Sequence, residues 1–281
     1  MSVLAVEAPE SFVDRVDRLL ERVDYRRADS TEERTAIFRL RHEAYLREGA
    51  IAPRLSGEFS DPFDDNENTW IFGVYVDGEL ASSIRLNITL PEESSFPTLD
   101  VFPDVLGAAV HAGKCFVDPT RFVADRAASR RYPELPYVTV RLPWMASEYF
   151  KADFLLAAVR PEHQAFYKRL LGHQVVCEPR PYPNLQKPIS LMSLDYASAR
   201  ERVHRRYPFF RSTHFERRML FERGLDLAQR TRRDLSSRRE LGFDAPRYLI
   251  GRGALMPSGV GPTPGRSGLD AAPLAPHRRP A

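Results

Sequence analysis

Asp118 and Arg121 are separated by two residues within residues 114–125 (KCFVDPTRFVAD), and apolar dipeptides flank the pair on both sides. Pro119 lacks a backbone N–H, so we expect a strand to end here in a functional turn. A carboxylate and a guanidinium held between buried flanks can recognise a small zwitterion. They can also form a structural ion pair at a strand end, and the residues alone leave both interpretations open.

Four further charged residues precede this segment and fall in three local patterns. Arg41 lies in a predicted helix, and Arg85 lies near the far end of the second strand of a predicted hairpin. Asp61 and Asp64 lie in residues 51–69, where apolar residues are few, so we expect an ordered loop that presents carboxylates. The plainer interpretation is that Asp-Pro is a turn signal and that some of these groups only pair with one another.

The predicted elements that must position these residues follow an α/β order. An Asp-Gly dipeptide at residues 77–78 suits a type I′ turn between the two strands of the hairpin, and a Pro-rich connection continues to about Gly113. We expect a central mixed, mostly antiparallel sheet flanked by helices. Helices are predicted over residues 11–23, 30–49, 137–150 and 161–172, and strands over residues 25–28, 70–76, 79–88, 154–159, 175–176 and 189–194, with one more strand entering the segment around Asp118.

The charge of the chain is unevenly distributed. The whole chain carries +3, but residues 198–281 contain 18 arginines, no lysine and eight acidic residues, which gives +10 and leaves −7 for residues 1–197. A basic extension suggests an acidic partner, such as nucleic acid, a membrane surface or an acidic protein. Alternatively, it is a solvated helix face that pairs with the acidic body.

Membrane-spanning or export segments and paired cysteines are sequence features that indicate where a protein is found. The sequence has no run of about eighteen apolar residues and no basic N-terminal region followed by an apolar one, so we expect a soluble, cytoplasmic protein. Cys115 and Cys177 lie far apart without metal-ligand spacing. We therefore expect neither a disulfide framework nor a metal site.

The C-terminal part differs from the rest in composition. Apolar positions recur at helical spacing over residues 197–235, so we expect one or two amphipathic helices packed on the body and interrupted at Pro208. From Gly251 onward, Pro, Gly and Ala dominate and predict disorder. The expected domains are an N-terminal helix (1–24), a main domain (25–197), a basic helical extension (198–250) and a disordered tail (251–281).

The order of elements resembles the acyltransferase fold of the GNAT superfamily, an α+β fold. Arg41 with Tyr45, Asp61 with Asp64, Arg85, and the segment DPTRF at residues 118–122 match in order the charged motifs of acyl-homoserine lactone synthases. The best likeness is to N-acyl amino acid synthases of the FeeM type. It rests on FVDPTRFVA (116–124), VRPEHQAFYKR (159–169) and KPISLM (187–192), and it covers roughly residues 25–197.

This resemblance implies that an amine attacks an acyl thioester, which requires a neutral amine, a stabilised oxyanion and a proton for the leaving thiolate. Tyr167, five residues before Gly172, resembles the general acid of acetyltransferases, or else it is an aromatic core residue. His163, one turn earlier on the same face, is a candidate base or proton relay, or a polar residue at a helix N-terminus. Asp118 is a third candidate, able to orient the amine. The implied substrate-binding residues are Arg41, Asp61, Asp64, Arg85, Arg121 and Glu162.

One departure from the superfamily points to the acyl donor. Acyltransferases that use nucleotide thioesters usually have a glycine-rich pyrophosphate loop, but residues 126–131 (RAASRR) contain no glycine. This favours acyl carrier protein over acyl-coenzyme A, with no tightly bound cofactor. The phosphodiester and the acidic recognition helix of the carrier protein would suit a basic surface made of Arg126, Arg130, Arg131, Lys168 and Arg169.

The resemblance therefore implies an N-acyltransferase that joins a fatty acyl group from acyl carrier protein to the amine of an amino acid, in lipid signalling. We expect no specific nucleic-acid partner, and a membrane surface is a candidate contact for the lipid product. An acyl-homoserine lactone synthase is the nearest enzymatic alternative. A catalytically silent acyl-binding module, whose basic tail carries the function, is an alternative of another class.

Overall fold

The structure is a computed structural model that describes residues 10–223. The chain divides into two units, Met1–Ala228 and Gln229–Ala281, and all described residues belong to the first. The predicted tail after Gly251, and the part of the predicted helical extension after residue 223, lie outside the described residues. The domain boundaries stay predictions.

Seven strands form one sheet in residues 10–223, in the spatial order β1-β2-β3-β4-β5-β7-β6. All neighbouring strands are antiparallel except β4 and β5, which are parallel. The prediction of a mixed, mostly antiparallel sheet is confirmed. The strands are β1 (Val23–Arg27), β2 (Thr69–Val76), β3 (Glu79–Ile88), β4 (Phe116–Ala124), β5 (Phe154–Val159), β6 (Gln174–Arg180) and β7 (Ile189–Asp195).

Helices flank this sheet, and several begin as the sequence predicts. Ser11 and Ser30 each form a capping box at the start of the first two helices, and Gly49, at φ +61°, lies just after the second. None of the described helices is both long and apolar enough to span a membrane. The helices are α1 (Phe12–Leu20), α2 (Thr31–Arg47), α3 (Pro97–Val101), α4 (Pro103–His111), α5 (Arg126–Arg131), α6 (Leu135–Phe150), α7 (Gln164–Leu170), α8 (Tyr196–Arg206) and α9 (His214–Phe221).

The β2–β3 hairpin has the predicted turn. Asp77 and Gly78 both have positive φ, 51° and 84°, as a type I′ turn requires. Because β2 and β3 pair along their lengths, Arg85 lies opposite Ile71 on one side and Thr120 of β4 on the other. The hairpin thus delivers the Arg85 side chain to the interior, where it is fully buried.

The prediction that a strand ends near Pro119 is wrong. β4 continues to Ala124 and pairs with β3 on both sides of Pro119. Only Phe116 and Val117 of β4 pair with β5, so among the described strands one edge of β4 has no neighbour beyond Val117. Pro119 is tolerated at this free edge because its missing N–H interrupts no pairing there. The irregularity comes instead at Arg121, whose φ is +54° and which lies where the β3–β4 register shifts.

The Pro-rich connection before Gly113 contains two helices that the sequence did not reveal, α3 and α4. Each has proline in its first turn, where the missing N–H has no intrahelical partner to lose. Their apolar side chains contribute to a separate core beside the sheet, made of Phe96, Phe102, Leu106, Phe116, Leu156 and Leu191. Burial in this core stabilises helices too short to form alone.

The predicted amphipathic helices after residue 197 are present as α8 and α9, with a 3-10 turn at Pro208–Phe210 between them. The guanidinium group of Arg141 in α6 holds the 3-10 turn and α9. It donates to the carbonyl oxygens of Phe209 (2.6 Å) and Arg211 (2.8 Å) and pairs with Glu216 at 2.5 Å. This extension therefore packs on the same α6 that contacts β3, β4 and β5.

Candidate active site

A cavity of about 570 Å³ opens where β4 and β5 no longer pair. Parts of α2, β4, β5, α6, α7 and the segment between β6 and β7 line it. Much of its wall is apolar, with side chains that include Ile84, Val123, Val140, Leu155, Leu156 and Phe166. An enclosed apolar surface of this size can hold a hydrocarbon chain away from water.

Five of the residues predicted from the sequence line this cavity, namely Arg121, Glu162, His163, Tyr167 and Arg169. The remaining candidates lie elsewhere. Arg41, Arg85 and Asp64 are buried in an ion cluster behind the cavity wall, together with Asp61. Asp118 is fully buried as well, whereas Arg126, Arg130, Arg131 and Lys168 are exposed outside the cavity.

The ion cluster is built around two aspartates of the loop before β2. Asp61 pairs with Arg85 through Oδ1 at 2.6 Å and with Arg121 through Oδ2 at 2.6 Å. Asp64 Oδ1 accepts from Arg41 at 2.8 Å and from Arg85 at 3.1 Å. The charged motifs that the sequence presents separately thus come together from four elements, namely α2, the loop, β3 and β4.

Hydrogen bonds within the loop also position both aspartates. Asp61 caps a 3-10 turn, Pro62–Asp65, by accepting from the Phe63 amide at 3.0 Å, and its own amide donates to Asp64 Oδ2 at 2.9 Å. All four carboxylate oxygens therefore accept hydrogen bonds within the protein. Burial acts to raise the pKa of Asp61, but Arg85 and Arg121 outweigh it and hold that pKa at about 2.

Asp118 and Arg121 do not pair with each other, so the structure supports neither a joint zwitterion site nor an ion pair between them. Asp118 accepts from the Thr98 amide at 3.2 Å and from Thr98 Oγ1 at 2.7 Å. Arg121 instead reaches Asp61, because its left-handed backbone conformation interrupts the regular alternation of side chains along β4. Burial raises the pKa of Asp118 to about 6, although the bonds from Thr98 act to lower it.

Tyr167 and His163 both line the cavity, although His163 lies in the 3-10 turn Pro161–His163 that precedes α7 and not within that helix. Burial, together with nearby Tyr45, raises the pKa of Tyr167, so its hydroxyl is protonated near neutral pH and can donate a proton. His163 is exposed at the cavity edge, with Nε2 3.3 Å from Arg160 Nη2, and desolvation together with Arg160 lowers its pKa, which favours the neutral imidazole near pH 7. The pair thus supplies an acid and a base within one cavity.

Two cavity residues gave no signal in the sequence. His173 comes directly after the positive-φ glycine at the end of α7 and is buried with its ring 5.7 Å from that of Tyr167, and burial lowers its pKa to about 4. Tyr182 lies in the segment between β6 and β7, which has no regular secondary structure. Neither residue belongs to a periodic pattern or a recognisable motif, so only the fold brings them to the cavity.

The basic residues predicted to bind the donor lie on two helices. Arg126, Arg130 and Arg131 are on the exposed side of α5, and Lys168 and Arg169 are exposed on α7. Ser129 of α5 and Arg169 of α7 border the cavity, so both helices reach its edge. Arg47, at the end of α2, is a further exposed cation at that edge that the sequence did not single out.

A seven-stranded, mostly antiparallel sheet that separates at its single parallel pair, with an apolar-walled cavity at the separation, is the GNAT-like fold that the sequence predicts. A family model described as N-acyl amino acid synthase FeeM matches residues 36–195. The chain belongs to this family, and the resemblance seen in the sequence is confirmed.

The solved structure of FeeM, an N-acyl amino acid synthase from uncultured soil microbes, shares this fold. It matches with a TM-score of 0.55 at 19% identity, covering 65% of this chain and 97% of that one. An acyl-CoA N-acyltransferase from Pseudomonas aeruginosa matches with a TM-score of 0.43 at 22% identity, over 61% and 98% of the two chains. The CoA-dependent acyl-homoserine lactone synthase BjaI has a TM-score of 0.47 at 16% identity, over 66% and 89%. Among curated proteins, none matches the sequence.

Proposed function

We propose that this synthase transfers a fatty acyl group from acyl carrier protein to the amine of an amino acid. The observation that carries the proposal is the make-up of one cavity, in which an apolar wall meets Arg121, His163 and Tyr167. The apolar wall would hold the acyl chain, and the polar residues would hold and activate the amino acid. The product would be a long-chain N-acyl amino acid.

The acid–base pair supports a balanced reaction. The amine nitrogen attacks the thioester carbon, a C–N bond forms and the C–S bond breaks. His163, neutral near pH 7, takes the proton that the nitrogen loses, and Tyr167 gives a proton to the leaving thiolate. Proton exchange between the two residues, directly or through solvent, would restore the starting state.

The choice of donor rests on the surface around the cavity edge. Exposed cations of α5 and α7 lie beside residues that border the cavity. α5 follows β4, where the resemblance to the superfamily implies a glycine-rich loop in nucleotide-thioester acyltransferases. Such a surface supplies point charges for a phosphodiester and an acidic helix, whereas a pyrophosphate is usually cradled by backbone amides. We therefore favour acyl carrier protein over acyl-coenzyme A.

Mass spectrometry of lipid extracts from bacteria that do and do not express the protein tests this function. Expression should produce N-acyl amino acids, identified by fragmentation to a free amino acid carrying a carboxylate. Acyl-homoserine lactones in their place would support the lactone synthase alternative. No new lipid, together with no transfer by purified protein from either acyl carrier protein or acyl-coenzyme A, would indicate a silent acyl-binding module.

A further inference from the structure

We infer that the hydroxyl of Tyr182 and the guanidinium of Arg121 together bind the carboxylate of the amino acid substrate. The inference rests on the proposed function and adds to it the group that recognises the acid. It identifies a substrate-binding residue, Tyr182, that lies outside every charged motif of the chain.

Tyr182 is held at the cavity by a segment that spans residues 181–188 between β6 and β7. The Gln186 amide donates to the Ala50 carbonyl oxygen at 2.9 Å, and Lys187 Nζ donates to the Glu48 carbonyl oxygen at 3.2 Å. These contacts tie the segment to the end of α2. The tyrosine, only 7% exposed, has its ring centre 5.9 Å from the Arg121 guanidinium carbon.

The Tyr182 hydroxyl is buried and has no hydrogen-bond partner within residues 10–223. A buried hydroxyl left without a partner costs about 1–3 kcal/mol. Tyr182 is among the residues that line the cavity, so a ligand group that accepts from its hydroxyl would remove this cost. Burial, followed by the nearby Asp118 carboxyl, raises the pKa of Tyr182. The hydroxyl therefore keeps its proton and can donate it to an acceptor.

The arginines of the ion cluster also have buried donors without acceptors. Arg85 Nη2 and two nitrogens of Arg41 are buried without partners among the described residues, whereas both oxygens of Asp61 already accept hydrogen bonds. An ammonium group donates hydrogen bonds and would need free acceptors in the protein. A carboxylate accepts hydrogen bonds and can pair with the free donors. The excess of donors thus selects an anion rather than the amine end of the substrate.

Arg121 links this donor-rich region to the cavity. Of the three arginines in the ion cluster, it alone lines the cavity, while Arg41 and Arg85 have fully buried side chains. Asp61 fixes its Nε and Nη2, which orients the guanidinium without rotation on binding. A carboxylate held between Arg121 and Tyr182 would leave the substrate amine free to face Tyr167 and the thioester.

The test is Tyr182→Phe in the full-length protein, with steady-state kinetics and thermal melting. We expect KM for the amino acid to rise at least tenfold, the usual effect of losing one hydrogen bond to a charged group, with an unchanged KM for the acyl donor. The melting temperature should stay the same or rise, because the hydroxyl has no partner to lose.

Tyr25→Phe is the matched control. Its hydroxyl donates to the Val138 carbonyl oxygen at 2.6 Å, so that variant should melt earlier with an unchanged KM.

A second measurement changes the substrate instead of the protein's stability. The amine that corresponds to the amino acid without its carboxylate should be a far poorer substrate for the wild type, and Tyr182→Phe should narrow that difference. An unchanged KM for the amino acid, or equal use of acid and amine by the wild type, would overturn the inference while leaving acyl transfer intact. If the wild type makes no N-acyl amino acid at all, it is the proposed function that fails.

Discussion

Asp61 lies in a loop, yet it is the single carboxylate shared by Arg85 and Arg121. Both guanidinium groups are almost wholly buried, so neither can exchange Asp61 for water. A buried ion pair adds little net stability over an apolar equivalent, yet removing one partner leaves an uncompensated charge. The aspartate thus fixes the position of Arg121 at the cavity wall.

Asp61→Asn should accordingly lower the free energy of unfolding by about 3–5 kcal/mol, because an amide cannot neutralise either arginine. Urea unfolding at pH 7 measures the change. Asp65→Asn in the same turn is the control, since Asp65 is 80% exposed and pairs with Arg34 at the surface. That control should change stability by less than about 1 kcal/mol. Equal effects of the two substitutions would contradict the role given to the cluster.

Asp118 should make stability depend on pH in a definite direction. Its pKa is about 6 in the fold against an ordinary 3.8, so the folded protein binds this proton more tightly than the unfolded chain does. The contribution is fully present below pH 3.8 and is lost as pH rises through 6, a change of about 3 kcal/mol. Asp61, with its pKa of about 2, is ionised throughout this window.

We therefore expect unfolding free energies of the wild type, measured from pH 4 to pH 7.5, to fall by about 3 kcal/mol relative to those of Asp118→Asn. Asparagine keeps the shape of the side chain and cannot titrate. The comparison between the two proteins removes the contributions of other groups. Parallel curves would mean that Asp118 is ionised at the same pH in both states and that Thr98 fully offsets its burial.

Sequence patterns singled out the charged residues of the ion cluster, but they did not indicate which of these residues pair with one another. Spacing brought attention to Asp118 and Arg121 together, yet Arg121 pairs with Asp61, sixty positions earlier in the chain. The cause is the positive φ of Arg121, a conformation uncommon for a residue with a side chain and not encoded in any local pattern. Pairing between distant segments depends on strand register, which the sequence leaves open at such irregularities.

Among the strands and helices, those with regular sequence patterns were predictable. Those that are stabilised by contacts with distant parts of the chain were not. The β2–β3 hairpin, β5 and the caps of α1 and α2 are predictable from alternation, turn residues and capping boxes. Helices α3 and α4 were missed because prolines interrupt their sequence and their stability comes from the core around Phe96 and Phe102. Short elements of this kind depend on contacts that only the folded chain supplies.

Helix α5 is the element on which the donor prediction can be tested. Arg130→Glu with Arg131→Glu should raise KM for acyl carrier protein severalfold, with little change in KM for the amino acid, because both side chains are exposed. The effect should weaken at high salt. Arg205→Glu with Arg206→Glu is the control, since these exposed arginines lie on α8, which contributes no residue to the cavity wall, whereas α5 contributes Ser129. Equal use of acyl carrier protein and acyl-coenzyme A by the wild type would contradict the proposed donor.

For the whole molecule, the uneven charge separates an acidic main part from a basic C-terminal part. The described portion of the basic part is tied down by Arg141, which is buried and bonded to three different residues of the extension. The folded acyltransferase therefore includes α8 and α9. The composition of residues 251–281, by contrast, predicts a segment that cannot bury enough apolar surface to offset its ordering entropy.

A chain that ends at Ile250 should keep both its melting temperature and its acyl transfer. A chain that ends at Arg211 removes α9 and the Glu216 partner of Arg141, so it should melt at a lower temperature. Comparing the two truncations with the full-length protein separates the packed helices from the remaining tail. A large loss in the longer truncation would show that residues 251–281 contribute to the folded enzyme.

Within residues 10–223, the ladder of β1–β4 pairs with that of β5–β7 only at Phe116 with Phe154 and Val117 with Leu155. The sheet is therefore two ladders sharing a short seam, braced by α6 across both. Amide hydrogen exchange should find this seam opening at a lower free energy than the interior of either ladder. A hinge at these residues would change the width of the cavity without breaking any other strand pair.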